Sequence, residues 1–126
     1  MNKTDTKICQ ACGRAMEWRR KWSRCWSQVK FCSDACRKKG VSESDRRLET
    51  TILMLLGKVS NGGSICPSEV ARAVACGDET AWRPLMEDVR RAARRLCEKG
   101  KIEITQNGSR VDPSRARGPI RLRRTD

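Results

Sequence analysis

Four cysteines near the start of the chain have the spacing of metal ligands. Cys9 and Cys12 are separated by two residues, Cys32 and Cys36 by three, and nineteen residues lie between the two pairs. Two such pairs can close on one tetrahedral ion, and four thiolates select Zn²⁺ over harder metals. Because the protein then fills every position around the ion, no place is left for a substrate. The spacing predicts one structural zinc ion, with disulfides or an iron–sulfur cluster as the alternatives.

A metal ion would stabilise a unit that is too small to fold on its own core. A unit of about 40 residues cannot bury enough apolar area to fold stably without such a cross-link. Gly13 suits the tight turn after Cys12, and Ser33 is placed to cap a helical turn that leads to Cys36. The chain starts without the apolar stretch of a secretory signal, so we expect a cytoplasmic protein. A reducing compartment disfavours disulfides.

The remaining cysteines have no metal spacing, and no reactive pair of residues is evident. Cys25, Cys66, Cys76 and Cys97 are expected to be small buried hydrophobic residues. Cys66 could instead be reactive, because it precedes Pro67 at a predicted helix start, where a thiolate is stabilised. The chain has no His and no Tyr, which removes the usual general base. We therefore predict that the protein is not an enzyme, with catalysis by Cys66 or a carboxylate as the alternative.

A strong positive charge predicts a polyanionic partner. The 126 residues include 28 Lys and Arg but only 15 Asp and Glu, so the formal net charge is +13. Nucleic acid, with its regular phosphates, is the expected partner of such a chain. No run of about 18 apolar residues occurs, so we expect no membrane span. No small-molecule substrate is indicated.

Tryptophans and cations alternate between the two cysteine pairs. In the segment WRRKWSRCW, the tryptophans are four residues apart with cations between them. Indole rings stack on unpaired bases while cations contact phosphates, so the segment is a candidate nucleic-acid site. Its candidate residues are Trp18, Arg19, Arg20, Lys21, Trp22 and Arg24. In the alternative, one or two of the tryptophans form the small core beside the zinc.

In the second part of the chain, apolar residues recur at helical spacing in three segments. Ser42 and Asp45 form a capping-box pattern that opens a first helix, which ends at the SNGG turn. Pro67 suits the first position of a short second helix. A third and longest helix begins between residues 80 and 84 and ends at Gly100.

Alternation of apolar and polar residues follows the third helix. It predicts strands over residues 101–105 and 120–123 that form one hairpin, with the Asn107–Gly108 turn signal between them. Three helices followed by a hairpin with a long basic tip is the order of a winged helix. We therefore predict a small α+β protein: a treble-clef-like zinc finger over residues 1–40 and a winged-helix domain over residues 41–126.

Arginines are concentrated on the third helix and in the last part of the chain. A winged helix commonly lays its third helix in the major groove of DNA, so four arginines are candidate contacts. These are Arg90, Arg91, Arg94 and Arg95. The alternative is a solvated face on which Glu87 pairs with Arg91 and Arg94 pairs with Glu98. Acidic residues are scarce in the hairpin tip and tail, so their arginines are further candidate phosphate contacts. These are Arg110, Arg115, Arg117, Arg121, Arg123 and Arg124.

Two parts of the chain resemble known families. Residues 9–37 resemble the small bacterial family called domain of unknown function 2256, in the motifs CQACGR, WRRKW and FCSDACR. Residues 48–123 are similar to domain of unknown function 3253, in SICPSEVARAV, AWRPLMEDVRRAARRL and RGPIRLR. The first resemblance implies a zinc site on the four N-terminal cysteines, and the second implies a winged-helix-like fold. Neither implies an activity.

Together these patterns predict a zinc-stabilised protein that binds RNA or DNA and is not an enzyme. The Arg- and Lys-rich faces of both units would contact phosphates. The alternative is an adaptor whose zinc finger or winged helix docks another protein, because both folds also serve that purpose.

Overall fold

The computed structural model describes residues 6–125, and the N-terminal region consists of short elements around the cysteine pairs. Its elements are β1 (Thr6–Ile8), β2 (Ala15–Glu17), 3₁₀ turns over Arg20–Trp22 and Trp26–Gln28, and α1 (Asp34–Lys39). Strands β1 and β2 pair antiparallel, with Lys7 opposite Met16. Ser33 caps α1 as predicted, since its Oγ accepts a hydrogen bond of 3.2 Å from the Cys36 amide.

Three longer helices follow, as the apolar periodicity predicts. They are α2 (Glu43–Leu56), α3 (Pro67–Val74) and α4 (Met86–Glu98). The capping box at the start of α2 is confirmed: the Asp45 carboxylate accepts from the Ser42 amide at 2.9 Å, and the Asp45 amide donates to Ser42 Oγ at 3.2 Å. A 3₁₀ turn over Arg83–Leu85 precedes α4, so the regular helix begins later than the sequence predicts.

The strands form a four-stranded antiparallel sheet rather than a single hairpin. They are β3 (Ser64–Ile65), β4 (Ile102–Gln106), β5 (Ser109–Arg110) and β6 (Arg121–Arg124), in the order β3-β6-β4-β5. The predicted pairing of the two main strands is confirmed, with Ile104 opposite Leu122. Asn107 and Gly108 take the left-handed backbone of a two-residue turn, with φ of 53° and 81°. Strand β3 between α2 and α3 was not predicted.

A hydrophobic core lies between the three helices and the sheet. Its most deeply buried side chains include Ile52, Leu56, Val70, Val89, Leu96, Ile102, Ile104 and Leu122. They occupy the apolar faces that the 3.6-residue and two-residue periods define. Within residues 6–125, no helix has the length and apolarity that a membrane crossing requires.

The N-terminal region packs directly against the helices. Residues 40–42 are all that separates α1 from α2. An ion pair of 3.3 Å joins Lys39 to Asp88 on α4, and the Ala15 amide donates to Ser114 Oγ at 3.0 Å. At Gly13, which has a φ of +76°, an added Cβ atom would lie 2.4 Å from the Cβ of Arg94. The glycine therefore permits both the tight turn after Cys12 and the close approach of α4.

We expect Gly13→Ala to lower the free energy of unfolding more than Gly100→Ala does. Both glycines have a positive φ, +76° and +75°, so alanine costs about 1–2 kcal/mol of backbone strain at either position. At Gly13 the added methyl group also collides with α4. Such overpacking of a well-packed core costs a further ~1–3 kcal/mol. At Gly100 nothing lies within 4 Å of the added atom.

Denaturant unfolding followed by circular dichroism measures both variants. Equal losses of stability would contradict the close contact between the Gly13 turn and α4.

Candidate metal centre and basic surface

The first cysteine pair is held by a tight turn between β1 and β2. The Cys9 amide donates to the Arg14 carbonyl at 2.9 Å, and the Gly13 amide donates to the Cys9 carbonyl at 2.9 Å. The second pair lies where the chain enters α1, with Cys36 in its first turn. Each pair is thus fixed by local backbone structure, and the two pairs face each other across the N-terminal region.

The four predicted ligand sulfurs come together with the spacing that a tetrahedral ion requires. All four lie within 4.8 Å of one another. Cys12 Sγ is 3.7 Å from Cys32 Sγ, which is 3.6 Å from Cys36 Sγ. Sulfurs placed about 2.3 Å from a zinc ion have tetrahedral edges of about 3.8 Å. The cluster can therefore hold a metal ion. All eight cysteines of the chain are free thiols, so the disulfide alternative is not realised.

Burial and hydrogen bonding act on these thiols in opposite directions. Although burial raises it, the pKa of Cys9 falls to about 7, because hydrogen bonds from backbone amides stabilise the thiolate. Burial raises the pKa of Cys12. Burial, together with the neighbouring thiols, raises the pKa of Cys32 to about 12. A metal ion that binds at neutral pH must therefore displace protons.

The tryptophan segment is divided between core and surface. Trp26 is buried and stacks on Trp22, with ring centroids 5.5 Å apart and an angle of 24° between the planes. Lys7 lies over the Trp26 ring and donates to the Trp26 carbonyl oxygen. The core alternative is therefore correct for Trp26. Trp22 and Trp18 remain half-buried, and the buried Nε1 of Trp18 has no hydrogen-bond partner among the described residues.

The cations of this segment lie at the surface, where two clefts meet. Arg19, Arg20, Lys21 and Arg24 are all exposed. A cleft of about 540 Å³ next to the metal cluster is lined by Trp22 and Cys32. Its charged lining consists of Arg19, Lys21, Lys30, Asp34 and Arg37. A second cleft of about 560 Å³ also contains Arg19, together with Trp18. Its other charged lining residues are Glu17, Asp112 and Arg115, and Arg115 lies 3.8 Å from the Asp112 carboxylate.

The prediction that the third helix presents its arginines to nucleic acid is wrong for three of the four. Arg91, Arg94 and Arg95 are buried, with exposed fractions of 9%, 4% and 6%. Arg90 is half-buried and donates to the Gly118 carbonyl at 3.1 Å. The exposed residues of α4 are the acidic Glu87 and Glu98. This helix therefore has no exposed cation with which to read a groove.

The buried arginines bind the N-terminal region instead. Arg94 Nε donates to the Cys12 carbonyl at 2.6 Å, and Arg95 NH1 donates to the Ala11 carbonyl at 2.7 Å. Arg95 Nε also pairs with the buried Glu49 carboxylate at 2.8 Å. The solvated-face alternative is wrong too: neither predicted i, i+4 pair forms, and Arg94 approaches Glu87 at 3.6 Å. The arginine face of α4 is an internal contact surface between the two regions.

The arginines of the hairpin and tail have more partners than the sequence indicates. Arg123 pairs with Glu103 through Nε and NH2 at 3.1 and 2.7 Å. Arg121 donates to both Ser64 Oγ and the Ser64 carbonyl. Arg124 donates to the Val59 carbonyl and to Asn61 Oδ1. The remaining candidates, Arg110, Arg115 and Arg117, are exposed. Arg110 lies 4.0 Å from the Glu103 carboxylate, and Arg115 lies 3.8 Å from that of Asp112.

The other cysteines differ in part from their prediction. Cys25 and Cys76 are exposed, whereas Cys66 and Cys97 are half-buried. Burial raises the pKa of Cys97. Ser68 Oγ donates to Cys66 Sγ at 3.1 Å. The expectation that these thiols serve as buried hydrophobic residues is therefore wrong for Cys25 and Cys76.

One sequence signal could have revealed the buried arginine contacts. Asp45 and Glu49 occupy the same helical stripe of α2 as Ile52 and Leu56, four and then three and four residues apart. All four side chains are buried. Carboxylates within an apolar stripe require a buried cation or hydrogen-bond donors. That requirement indicates a cationic partner but does not identify Arg95, which lies far along the chain.

Two family models match the chain, in the order that its motifs indicate. Residues 2–39 match an uncharacterized protein family conserved in bacteria, DUF2256. Residues 45–125 match a family described as a protein of unknown function, DUF3253. Both resemblances are thereby confirmed. No curated protein matches this chain.

We expect Cys32→Ser to remove a bound metal ion that Cys25→Ser leaves in place. Cys32 contributes one of the four clustered sulfurs, whereas Cys25 is exposed and lies outside the cluster. A serine hydroxyl is a much weaker ligand than a thiolate for a soft ion. Elemental analysis of the purified variants gives the metal-to-protein ratio. Equal ratios in the two variants would exclude the four-cysteine site.

We expect metal affinity to fall as the pH falls. The raised pKa of Cys12 and the pKa of about 12 for Cys32 mean that the metal displaces protons from both thiols at neutral pH. A lower pH makes that displacement harder, so the dissociation constant rises and metal-dependent stability decreases. Competition with a chromophoric chelator between about pH 6 and pH 8 measures the trend. A dissociation constant that does not change with pH would contradict thiolate ligation.

Proposed function

This chain belongs to the protein family of unknown function DUF3253, and we propose that it is a zinc-stabilised protein that binds nucleic acid without catalysing a reaction. Single strands are the preferred ligand. The observation that carries the proposal is the cleft beside the metal cluster, where exposed cations surround the half-buried Trp22.

Zinc is the ion we assign to the cluster. Four sulfurs within 4.8 Å of one another, with two separations of 3.7 and 3.6 Å, suit its tetrahedral preference, and a complete sulfur set marks a structural rather than a catalytic site. Iron also binds four cysteines, so the metal analysis above distinguishes the two. A cytoplasmic location belongs to the same proposal, because a reducing compartment keeps free thiols available for the metal.

The charge of the cleft favours an anionic ligand. Four cations line it against one carboxylate, that of Asp34, which already pairs with Arg37 at 2.8 Å. The shared residue Arg19 connects this cleft to the second one, which contains Arg115 from the loop before β6. Several cations distributed along the first cleft match the regular phosphates of an extended strand better than a single small anion. The second cleft, with two cations and two carboxylates, adds aromatic surface rather than net charge.

The indole rings favour unpaired bases. Trp22 lines the first cleft and Trp18 the second, so each of the adjoining clefts contains an aromatic ring beside cations. Arg19 and Lys21 lie 5.7 and 5.1 Å from the centre of the Trp22 ring. Alternating aromatic rings and cations are the usual arrangement for single-strand binding, because stacking requires bases that are not paired.

The C-terminal region would contribute through its hairpin rather than through α4. The order α2, β3, α3, α4, β4 and β6 supports a winged-helix assignment, in which the segment between β4 and β6 is the wing. Exposed arginines on this wing are Arg110, Arg115 and Arg117. The buried arginine face of α4 disfavours the usual docking of a winged helix on duplex DNA.

We expect the protein to bind a fluorescently labelled single strand more tightly than a duplex of the same length, and Trp22→Leu to weaken that binding. Loss of one stacked base costs about 1–3 kcal/mol. Leucine keeps an apolar contact with Trp26, so the finger should stay folded. Lys21→Gln should reduce the salt dependence of log K by about 0.7, the value for one phosphate contact on a single strand. Fluorescence anisotropy at several salt concentrations measures both effects.

Lys101→Gln is the matched control, since Lys101 is an exposed cation that lines neither cleft. It should leave the salt slope nearly unchanged. Absence of binding at low salt, or equal effects of the Lys21 and Lys101 variants, would contradict the proposal. A protein partner that remains bound after nuclease treatment and high salt, with no affinity for nucleic acid, would instead favour the adaptor.

A further inference from the structure

Arg91 is a buried cation with an incomplete set of partners. Its NH1 atom lies 3.6 Å from Cys36 Sγ, whereas its Nε and NH2 atoms are buried without a hydrogen-bond partner. Within residues 6–125, no carboxylate oxygen lies within 4 Å of this guanidinium; Asp88, three residues before it on α4, pairs with Lys39 instead. An unpaired buried charge is strongly unfavourable, so Arg91 requires an anion at the position where it meets the cysteine cluster.

The neighbouring arginines do not share this deficit. Arg95 contacts Glu49 and two carbonyl oxygens, those of Ala11 and Asp45. Arg94 donates to the Cys12 carbonyl and approaches Glu87. The three arginines, spaced at i, i+3 and i+4, share one face of α4, and each takes one partner from the metal-binding turns. Arg91 is the one that takes a ligand sulfur.

The buried arginines outnumber the available anions unless the sulfurs are ionised. In the described part of the chain, three buried arginines face two buried carboxylates, Asp45 and Glu49. Four thiolates around a divalent ion carry a net charge of −2, which supplies the missing anion next to Arg91. With protonated thiols and no metal, the same guanidinium would be buried without any negative partner.

We propose that Arg91 is the buried counter-cation of the metal–thiolate centre and that it links metal binding by the N-terminal region to the docking of α4. The proposal rests on the metal site assigned above, but not on nucleic-acid binding. Metal loss would leave Arg91 uncompensated, so the arginine face of α4 would separate from the cysteine turns and become hydrated. Because linkage is reciprocal, docking of α4 must also raise the metal affinity.

The test compares the metal affinity of Arg91→Met with that of Arg37→Met. Methionine keeps the apolar volume of the Arg91 stem but removes the charge. We expect a weakening of about 10- to 100-fold, as for other residues that contact a metal ligand. Arg37 is the matched control, because it follows Cys36 directly and pairs with Asp34, yet 64% of its side chain is exposed. Competition with a chromophoric chelator should show little change for Arg37→Met.

A second measurement uses the unaltered protein and does not depend on the folding of a variant. We expect hydrogen exchange of the α4 amides, residues 86–98, to accelerate when a chelator removes the metal. Arg91→Lys, which keeps the charge, should restore part of the affinity that Arg91→Met loses.

Each outcome has a distinct meaning. If the unaltered protein binds no stoichiometric metal, both the metal site and the role of Arg91 fail. If it binds metal, but Arg91→Met binds as tightly as Arg37→Met, the role of Arg91 alone fails. Exchange in α4 that is indifferent to metal removal would also overturn the linkage, whether or not Arg91→Met folds.

Discussion

The structure depends on the contact between the arginine face of α4 and the cysteine turns of the N-terminal region. Guanidinium groups donate to the carbonyls of Ala11 and Cys12 and approach the sulfur of Cys36. Gly13 allows the two backbones to come close enough for these bonds to form. Since carbonyl oxygens at a tight turn lack regular partners, buried donors from another element satisfy them. Two segments that match separate families are therefore joined by a polar interior rather than by a flexible linker.

This use of α4 changes where the positive charge of the protein is available. A helix rich in arginine ordinarily indicates a nucleic-acid surface. Here, however, three of its arginines are buried and make their contacts inside the molecule. Tail residues such as Arg123 are likewise engaged by nearby acceptors. Exposed cations remain around the tryptophans of the N-terminal region and on the loops of the hairpin, as well as elsewhere on the surface, for example Arg46, Lys58 and Arg72. The cleft beside Trp22 differs from the rest of this surface because four cations line it together with a half-buried indole ring.

The electrostatic requirements of the cysteine cluster and of the buried arginines are complementary. A cluster of thiolates is costly to bury without compensating positive charge, and a buried guanidinium is costly without an anion. Placing them against each other stabilises both, and the remaining hydrogen-bonding capacity is met by carbonyls and by Glu49. With Arg91 as the counter-cation that we propose, the fold of the C-terminal region would be sensitive to an ion bound by the N-terminal one. A domain that has its own apolar core would thereby acquire a dependence on metal.

The sequence by itself determined the features that depend on short-range geometry. Helix caps at Ser42 and Ser33, the Asn107–Gly108 turn and the paired cysteines all rest on residues a few positions apart, where spacing dictates what can meet. The tertiary structure alone decided which cations are buried, because that depends on partners far away in the chain: Arg94 and the Cys12 carbonyl are separated by 82 positions. The local sequence pattern is the same for a solvated arginine and for a buried one. Which of the two an arginine becomes depends on the hydrogen-bond acceptors that the tertiary fold brings to it from distant parts of the chain.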